Sequence, residues 1–196
     1  ISDARGFQMP NDTIERAVKR GTGELEGAAY EEVVYEGTGP GGTLFMAAGM
    51  TDNRNRTVAE IRKIFERNNG LLGGAGTAGW AFDRKGLIQI AKENATEDQL
   101  METAVAAGAD DYVDGGEEWH LTCPPDQLNV VLEAIEAGKI AVKGSTLGFV
   151  PKNKKAIEGR DAEVCLTLAE MLDDHDDIQQ VFADFDISDD EMNRIA

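Results

Sequence analysis

The chain has 196 residues, with 19 Lys and Arg against 37 Asp and Glu, giving a net charge of −18 at pH 7. A hydrophobic content of 41% and a charged content of 29% exclude wholesale disorder, and the acidic balance excludes a simple basic DNA-binding arm. No apolar run approaches the roughly 18 residues of a membrane span, and ISDARGFQMP lacks the regions of a signal peptide, so a cytoplasmic location without a membrane partner is expected.

In chain order, DTIE at 12–15 reads as a capping-box start followed by Ile14, Ala17 and Val18 at helical spacing, with Gly21 as a stop. This short amphipathic helix presents Arg16, Lys19 and Arg20 outward. EEVVYE (31–36) and TLFMA (43–47) predict two strands of a hairpin joined by GTGPGG. TVAE at 57–60 predicts a second helix start, with Val58, Ile61, Ile64 and Phe65 on one face and Asn68, Asn69 and Gly70 as its end. AGWAF (78–82) reads as a returning strand, which makes the first unit ββαβ.

GLIQIA (86–91) then restarts the order. A helix follows from Thr96 to Gly108, with Leu100, Met101, Ala104 and Val105 facing a core, and DYV and EEWHLTC read as short strands. Pro124 and Pro125 open a helix whose Leu128, Val131, Leu132 and Ile135 share a face, before an apolar segment from Ile140 to Val150. The order βαββαβ is that of ferredoxin-like folds. The tail supplies a helix with Val164, Cys165, Leu168, Met171 and Leu172 inward, and then the strand IQQVFA.

An isolated αβ pair cannot bury itself, so the tail is expected to complete the first unit as ββαβαβ. The predicted fold class is therefore α+β: two small domains of mixed sheets packed with helices, one of them ferredoxin-like. The expected boundaries are 26–85 with 151–196 for a discontinuous domain and 86–150 for the inserted one. Residues 1–25 read as the remnant of an N-terminal helical domain, the rest of which lies outside this sequence.

Charge divides the chain. Residues 1–92 carry 12 basic and 12 acidic side chains, while residues 93–196 carry 7 basic and 25 acidic. A neutral half with local basic clusters can approach a polyanion, whereas an acidic half keeps its distance or serves solubility.

Few patterns point to catalysis. Gly37, Gly39 and Gly42 satisfy GxGxxG after a strand, but TLFMA continues as strand where a dinucleotide fingerprint needs a helix N-terminus. The loop of Gly37, Gly39, Gly41 and Gly42 reads either as a turn that needs positive φ or as backbone laid close to a partner. VKGST (142–146) lacks the P-loop pattern. Cys123 and Cys165 read as buried free thiols rather than zinc ligands. His120 and Cys123 are three apart on a strand and face opposite ways, and DDHDD around His175 lacks EF-hand spacing and reads as a solvated acidic helix end. No nucleophile or acid–base pair is identified, so no enzyme activity, cofactor, metal or small-molecule substrate is expected.

The strongest local cluster is TDNRNRTVAEIRKIFERNNG, where Arg54 and Arg56 read as a loop feeding a helix N-terminus. Guanidinium groups and free backbone N–H groups there can jointly hold a phosphate, Asn53 and Asn55 add donors and acceptors, and Arg62 and Lys63 extend the basic face. The bland alternative is a solvated helix face with a structural arginine.

These stretches resemble the YebC/PmpR family, whose mitochondrial relative is a translational activator of cytochrome oxidase. The matching segments are MPNDTIERAVKRG (9–21), VVYEGTGPGGT (33–43), TDNRNRTVAEIRKIF (51–65) and GTAGWAFDRKG (76–86), with weaker matches in AAGADDYVD, GFVPKNK and DDIQQVF. Departures are Thr38, where the family usually has Tyr, and NNGLLG, where it has a GGNLG-like turn. The resemblance implies three domains, a cytoplasmic location, no enzyme activity and a role in gene expression, either as a DNA-binding transcriptional regulator or as a translation factor on large-subunit ribosomal RNA that relieves stalling. It implies a polyanionic partner for Arg16, Lys19, Arg20, Arg54, Arg56, Arg62 and Lys63. The net charge favours RNA or the ribosome over tight duplex binding, and a protein-interaction module using Asp110, Asp111 and Asp114 is the alternative of a different class. Oligomeric state is left open by the sequence.

Overall fold

The computed structural model describes residues 30–195, and the predicted helix at 12–20 lies outside them. Of these, residues 30–82 together with 151–195 form one compact unit, and 83–150 form another.

In the first unit, β1 (Glu31–Thr38) and β2 (Leu44–Thr51) form the expected antiparallel hairpin, in register from Glu31↔Thr51 to Thr38↔Leu44. Helix α1 (Arg54–Arg67) follows, then β3 (Leu71–Leu72). After the inserted unit come β8 (Lys155–Ala156), α4 (Gly159–Asp173), β9 (Ile178–Ala183), β10 (Phe185–Asp186) and α5 (Asp189–Ile195). One sheet has the order β3-β1-β2-β9, and β8 pairs in parallel with β10. The buried positions alternate along β1, as a half-buried strand requires, so Val33 and Tyr35 point inward with Phe45 and Ala47 of β2. Ile61 and Phe65 of α1 and Cys165, Leu168 and Leu172 of α4 close this core, with the Phe45 and Phe65 rings edge to face at 6.1 Å.

The second unit uses β4 (Phe82–Ala91), α2 (Glu97–Leu100), β5 (Asp111–Asp114), β6 (Glu118–Cys123), α3 (Leu128–Ala137) and β7 (Gly144–Pro151). Its sheet order, β5-β6-β4-β7, is the ferredoxin-like arrangement. Thr96 and Gln99 make a reciprocal capping box at α2. Ile88, Ile90, Leu100, Leu121, Val131 and Ile135 form the core. Among the described residues, no helix is long and apolar enough to cross a membrane.

Four local expectations change. AGWAF is not a strand: Gly79–Ala81 is a 3₁₀ turn that feeds β4, and the third strand of the first sheet is instead the two-residue β3. TVAE is not the start of α1, because Asn53 caps the helix and begins it at Arg54, three residues earlier. Arg54 and Arg56 therefore stand in the first helical turn, not in a loop before it. Met101 is half exposed, because α2 widens into a π-helical turn over Met101–Val105 that shifts the phase of its inner face, leaving Leu100 and Ala104 buried.

Candidate nucleic-acid interface

The approach to α1 is organised by a buried carboxylate. β2 ends at Thr51, and the Asn53 side chain accepts the Arg56 backbone N–H at 3.1 Å, which satisfies one of the free donors of the first turn. The Asn53 N–H donates to Thr51 Oγ1 at 2.9 Å, and the Thr51 and Thr57 hydroxyls meet at 2.7 Å. Thr57 Oγ1 in turn donates to Asp177 Oδ2 at 2.5 Å. Thr51 Oγ1 also lies 3.2 Å from Asp177 Oδ2, so both hydroxyls converge on the one carboxylate. Arg56 Nη2 completes the arrangement, 3.0 Å from Asp177 Oδ2 and 2.9 Å from Asp52 Oδ1.

Asp177 reaches this point because β2 carries an irregularity between Ala48 and Gly49 where it meets β9. A Cβ at Gly49 would lie 1.9 Å from the Asp177 carbonyl oxygen, so only glycine admits the approach. The Met50 N–H donates to that carbonyl at 2.9 Å. Burial alone pushes the Asp177 carboxyl upward, but hydrogen bonds from Thr57, Arg56 and Thr51 outweigh it and hold the group below the usual carboxylate range.

His175 is placed by the same turn. Its Nδ1 accepts the Asp177 N–H at 3.2 Å, so the ring proton sits on Nε2, 3.1 Å from Glu60 Oε2. The DDHDD segment is therefore not merely a solvated helix end: His175 is mostly buried and Asp177 is 9% exposed. Arg56, Glu60, Asp174, His175, Asp176 and Asp177 line a cleft of about 510 Å³.

The predicted basic residues divide by what they touch. Arg56 is shared between two carboxylates and faces an acidic cleft, so its guanidinium ties β2, α1 and the turn before β9 together. Asn53 is the helix cap. Arg54 meets Glu31 only loosely, at 3.6 Å with both side chains exposed, a geometry of little energetic weight. Asn55, Arg62 and Lys63 are exposed on α1, as is Arg67, and none of the three cations pairs with an acidic side chain among the described residues. Arg16, Lys19 and Arg20 lie outside the described residues.

The glycine loop is part turn and part core. Gly41 and Gly42, at φ of 65° and 73°, are exposed and form the connection with Pro40. Gly37 and Gly39 are buried, and a Cβ there would lie 2.5 Å from the Phe65 ring and 2.6 Å from the Phe45 ring. Their small size serves the packing of those rings.

Two features escaped the sequence reading. Glu36 of β1 accepts backbone N–H groups from Gly76 at 3.0 Å, Ala78 at 2.7 Å and Gly79 at 2.8 Å. Burial raises its pKa, yet these three donors together bring it below the ordinary value. The loop so fixed presents Trp80, 68% exposed, with its indole N–H donating to the Thr77 carbonyl at 3.1 Å. Only a Glu at an outward strand position, followed some forty residues later by a Gly-rich turn, signalled the arrangement.

On the acidic unit, Asp110 pairs with Lys85 at 2.8 Å and Asp114 with Lys92. The Lys92 contact, with a hydrogen bond from the Gly116 N–H, holds Asp114 below the usual carboxylate range. Cys123 and Cys165 are buried free thiols, both raised by burial. Among the described residues, no group of three or more His, Cys, Asp or Glu is placed to hold a metal ion.

Comparison with known proteins bears on the whole chain. A family model described as TACO1/YebC second and third domain matches residues 30–185. A probable transcriptional regulatory protein of Solibacter usitatus is 45% identical over 196 residues, covering 100% of this chain and 79% of that protein. The probable transcriptional regulatory protein GSU1074 of Geobacter sulfurreducens is 45% identical over 195 residues, covering 100% of this chain and 78% of its own. The crystal structure of a conserved hypothetical protein, Aq1575 from Aquifex aeolicus, superposes with a TM-score of 0.90 at 37% identity, covering 96% of this chain and 78% of that one. The arrangement of hairpin, capped helix and ferredoxin-like unit is thus a shared one, and the chain belongs to the TACO1/YebC family.

Proposed function

We propose that this chain regulates gene expression by binding nucleic acid, as a ribosome-associated translation factor that contacts large-subunit ribosomal RNA and relieves stalling. It acts in this reading by binding, not by catalysis. The observation that carries the proposal is the outer face of α1, where Arg62, Lys63 and Arg67 stand exposed with no ion pair among the described residues, beside the weakly held Arg54. The helix that bears them is pinned by the Asp177 cluster, so the charges are offered from a rigid element. With a net charge of −18, a long duplex is repelled by most of the surface, whereas a folded RNA presenting a local phosphate cluster need meet only this face. A second reading, a DNA-binding transcriptional regulator, is favoured by the names of the Solibacter and Geobacter relatives.

Ribosome co-sedimentation of the full chain across a salt series, beside titration with duplex DNA, separates the two. Salt-sensitive ribosome association that is lost in Arg54→Glu/Arg62→Glu/Lys63→Glu supports the translation reading. Sequence-selective DNA binding without ribosome association overturns it. Arg56 is left out of the triple variant, since reversing its charge would set three carboxylates against one another and unfold the site under test.

A further inference from the structure

We propose that Trp80, together with Lys154, Lys155 and the exposed Gly41–Gly42 turn, forms a second contact surface that takes single-stranded RNA, the indole stacking on an unpaired base and the ammonium groups meeting phosphates. The proposal rests on the nucleic-acid reading above and adds to it a place and a mode of contact.

Among the described residues the Trp80 indole is left 68% exposed, yet the bonds around it hold it in place. Its N–H is held by the Thr77 carbonyl, the turn beneath it is held by the Glu36 carboxylate, and its own carbonyl accepts Lys152 Nζ at 2.9 Å. The Lys152 N–H donates to the neighbouring Ala81 carbonyl at 2.9 Å. A ring fixed in advance loses little conformational freedom on binding, which is what a stacking platform requires.

The chain from Lys152 to Lys155 then links this loop to the hairpin turn. Lys155 Nζ donates to the Gly42 carbonyl at 3.1 Å, an acceptor that leaves its charge uncompensated. Lys154 meets Asp186 at 3.2 Å, with both side chains largely exposed. Three residues span at most about 10 Å, so the lysines stay within a few nucleotides of the indole. The other carboxylate at the turn is Asp161, 3.2 Å from where a Gly41 Cβ would stand. In so acidic a chain, phosphate contacts are few, and stacking supplies affinity that does not depend on charge. Stacking on one face of a base also demands an unpaired strand.

Trp119 is the second of two tryptophans, so the full chain carrying Trp119→Phe reports from Trp80 alone. Titration with a single-stranded oligoadenosine RNA is expected to quench the Trp80 emission along a saturable curve. Trp80→Ala is expected to weaken that RNA about tenfold, equivalent to about 1.4 kcal/mol, with the salt slope kept, and Trp80→Phe to retain most of the affinity. Lys154→Gln with Lys155→Gln should instead flatten the salt slope by about 1.4. Emission of the Trp119→Phe chain left unquenched by the RNA, and unchanged affinity in Trp80→Ala, with binding lost in Arg62→Glu/Lys63→Glu, would overturn this surface and leave the functional reading standing. Ribosome association lost in Trp80→Ala with RNA affinity unchanged would assign the surface to a protein and also overturn it. Failure of the wild-type chain to bind RNA and ribosomes alike would remove the functional reading itself.

Discussion

Replacing Asp177 by Asn tests whether this carboxylate fastens α1 to the sheet. The Thr57 hydroxyl donates to it at 2.5 Å within a buried cluster, and the Asn side chain keeps an acceptor of the same shape without the charge. A hydrogen bond to a charged acceptor contributes about 1.5–3 kcal/mol, against about 0.5–1.5 for a neutral one, so the exchange should cost about 1–2 kcal/mol. Arg56 is half open to solvent, and its share is left out of that figure. At a urea dependence of about 2 kcal/mol per molar, the unfolding midpoint of this unit should fall by about 0.5–1 M at pH 7. Asp177 is held below its ordinary pKa, so its contribution is complete above the unfolded value near 4 and fades as pH falls through the lowered folded value. The gap between wild type and variant should therefore narrow toward pH 3, while Asp176→Asn, at an exposed neighbour, should leave the midpoint in place at either pH. Coincident urea curves at pH 7, or a gap that widens in acid, would refute the reasoning.

Two further outcomes follow from packing and loop geometry. Glu36→Gln leaves one acceptor for three backbone donors, so amide exchange at Gly76, Ala78 and Gly79 should accelerate about tenfold or more at neutral pH. Because Glu36 is also held below its ordinary pKa, wild-type protection there should persist down through the pH range where a free glutamate protonates and decline only below it, as exchange mass spectrometry would read. Gly37→Ala drives a methyl into the Phe65 ring, 2.5 Å from the nearest carbon, and should destabilise the fold by about 1–3 kcal/mol, seen as a lowered Tm.

The elements that were legible in the sequence are those written in local period. The β1–β2 hairpin alternates, α1 and α4 repeat their apolar residues at helical spacing, and the inserted unit spells its strand and helix order with proline and glycine at the joints. What was not legible depends on partners far along the chain. Thr57 looked like a helix cap because Thr-x-x-Glu is a local signature, but its hydroxyl serves Asp177, 120 residues away, and Asn53 takes the cap. AGWAF looked like a strand because its side chains suit one, but the N–H groups of Ala78 and Gly79 are claimed by Glu36, 42 and 43 residues upstream, and that of Ala81 by the Ala78 carbonyl. The basic residues of α1 were visible as a cluster. Their division into a structural Arg56 and an outward Arg62 and Lys63 required knowing where Asp177 lies.

The hydrogen bond from the Lys152 N–H to the Ala81 carbonyl fixes where the chain leaves the first unit and where it returns. β4 departs and β7 arrives as neighbours in one sheet, so the guest sequence begins and ends at a single doorway. For the host, a folded guest with adjoining ends is equivalent to a short surface loop, and the entropy of closing it hardly depends on how many residues it holds. The architecture is in this sense a socket: the host strands take their register from one another, β1 with β2 and β2 with β9, and that pairing does not run through the guest.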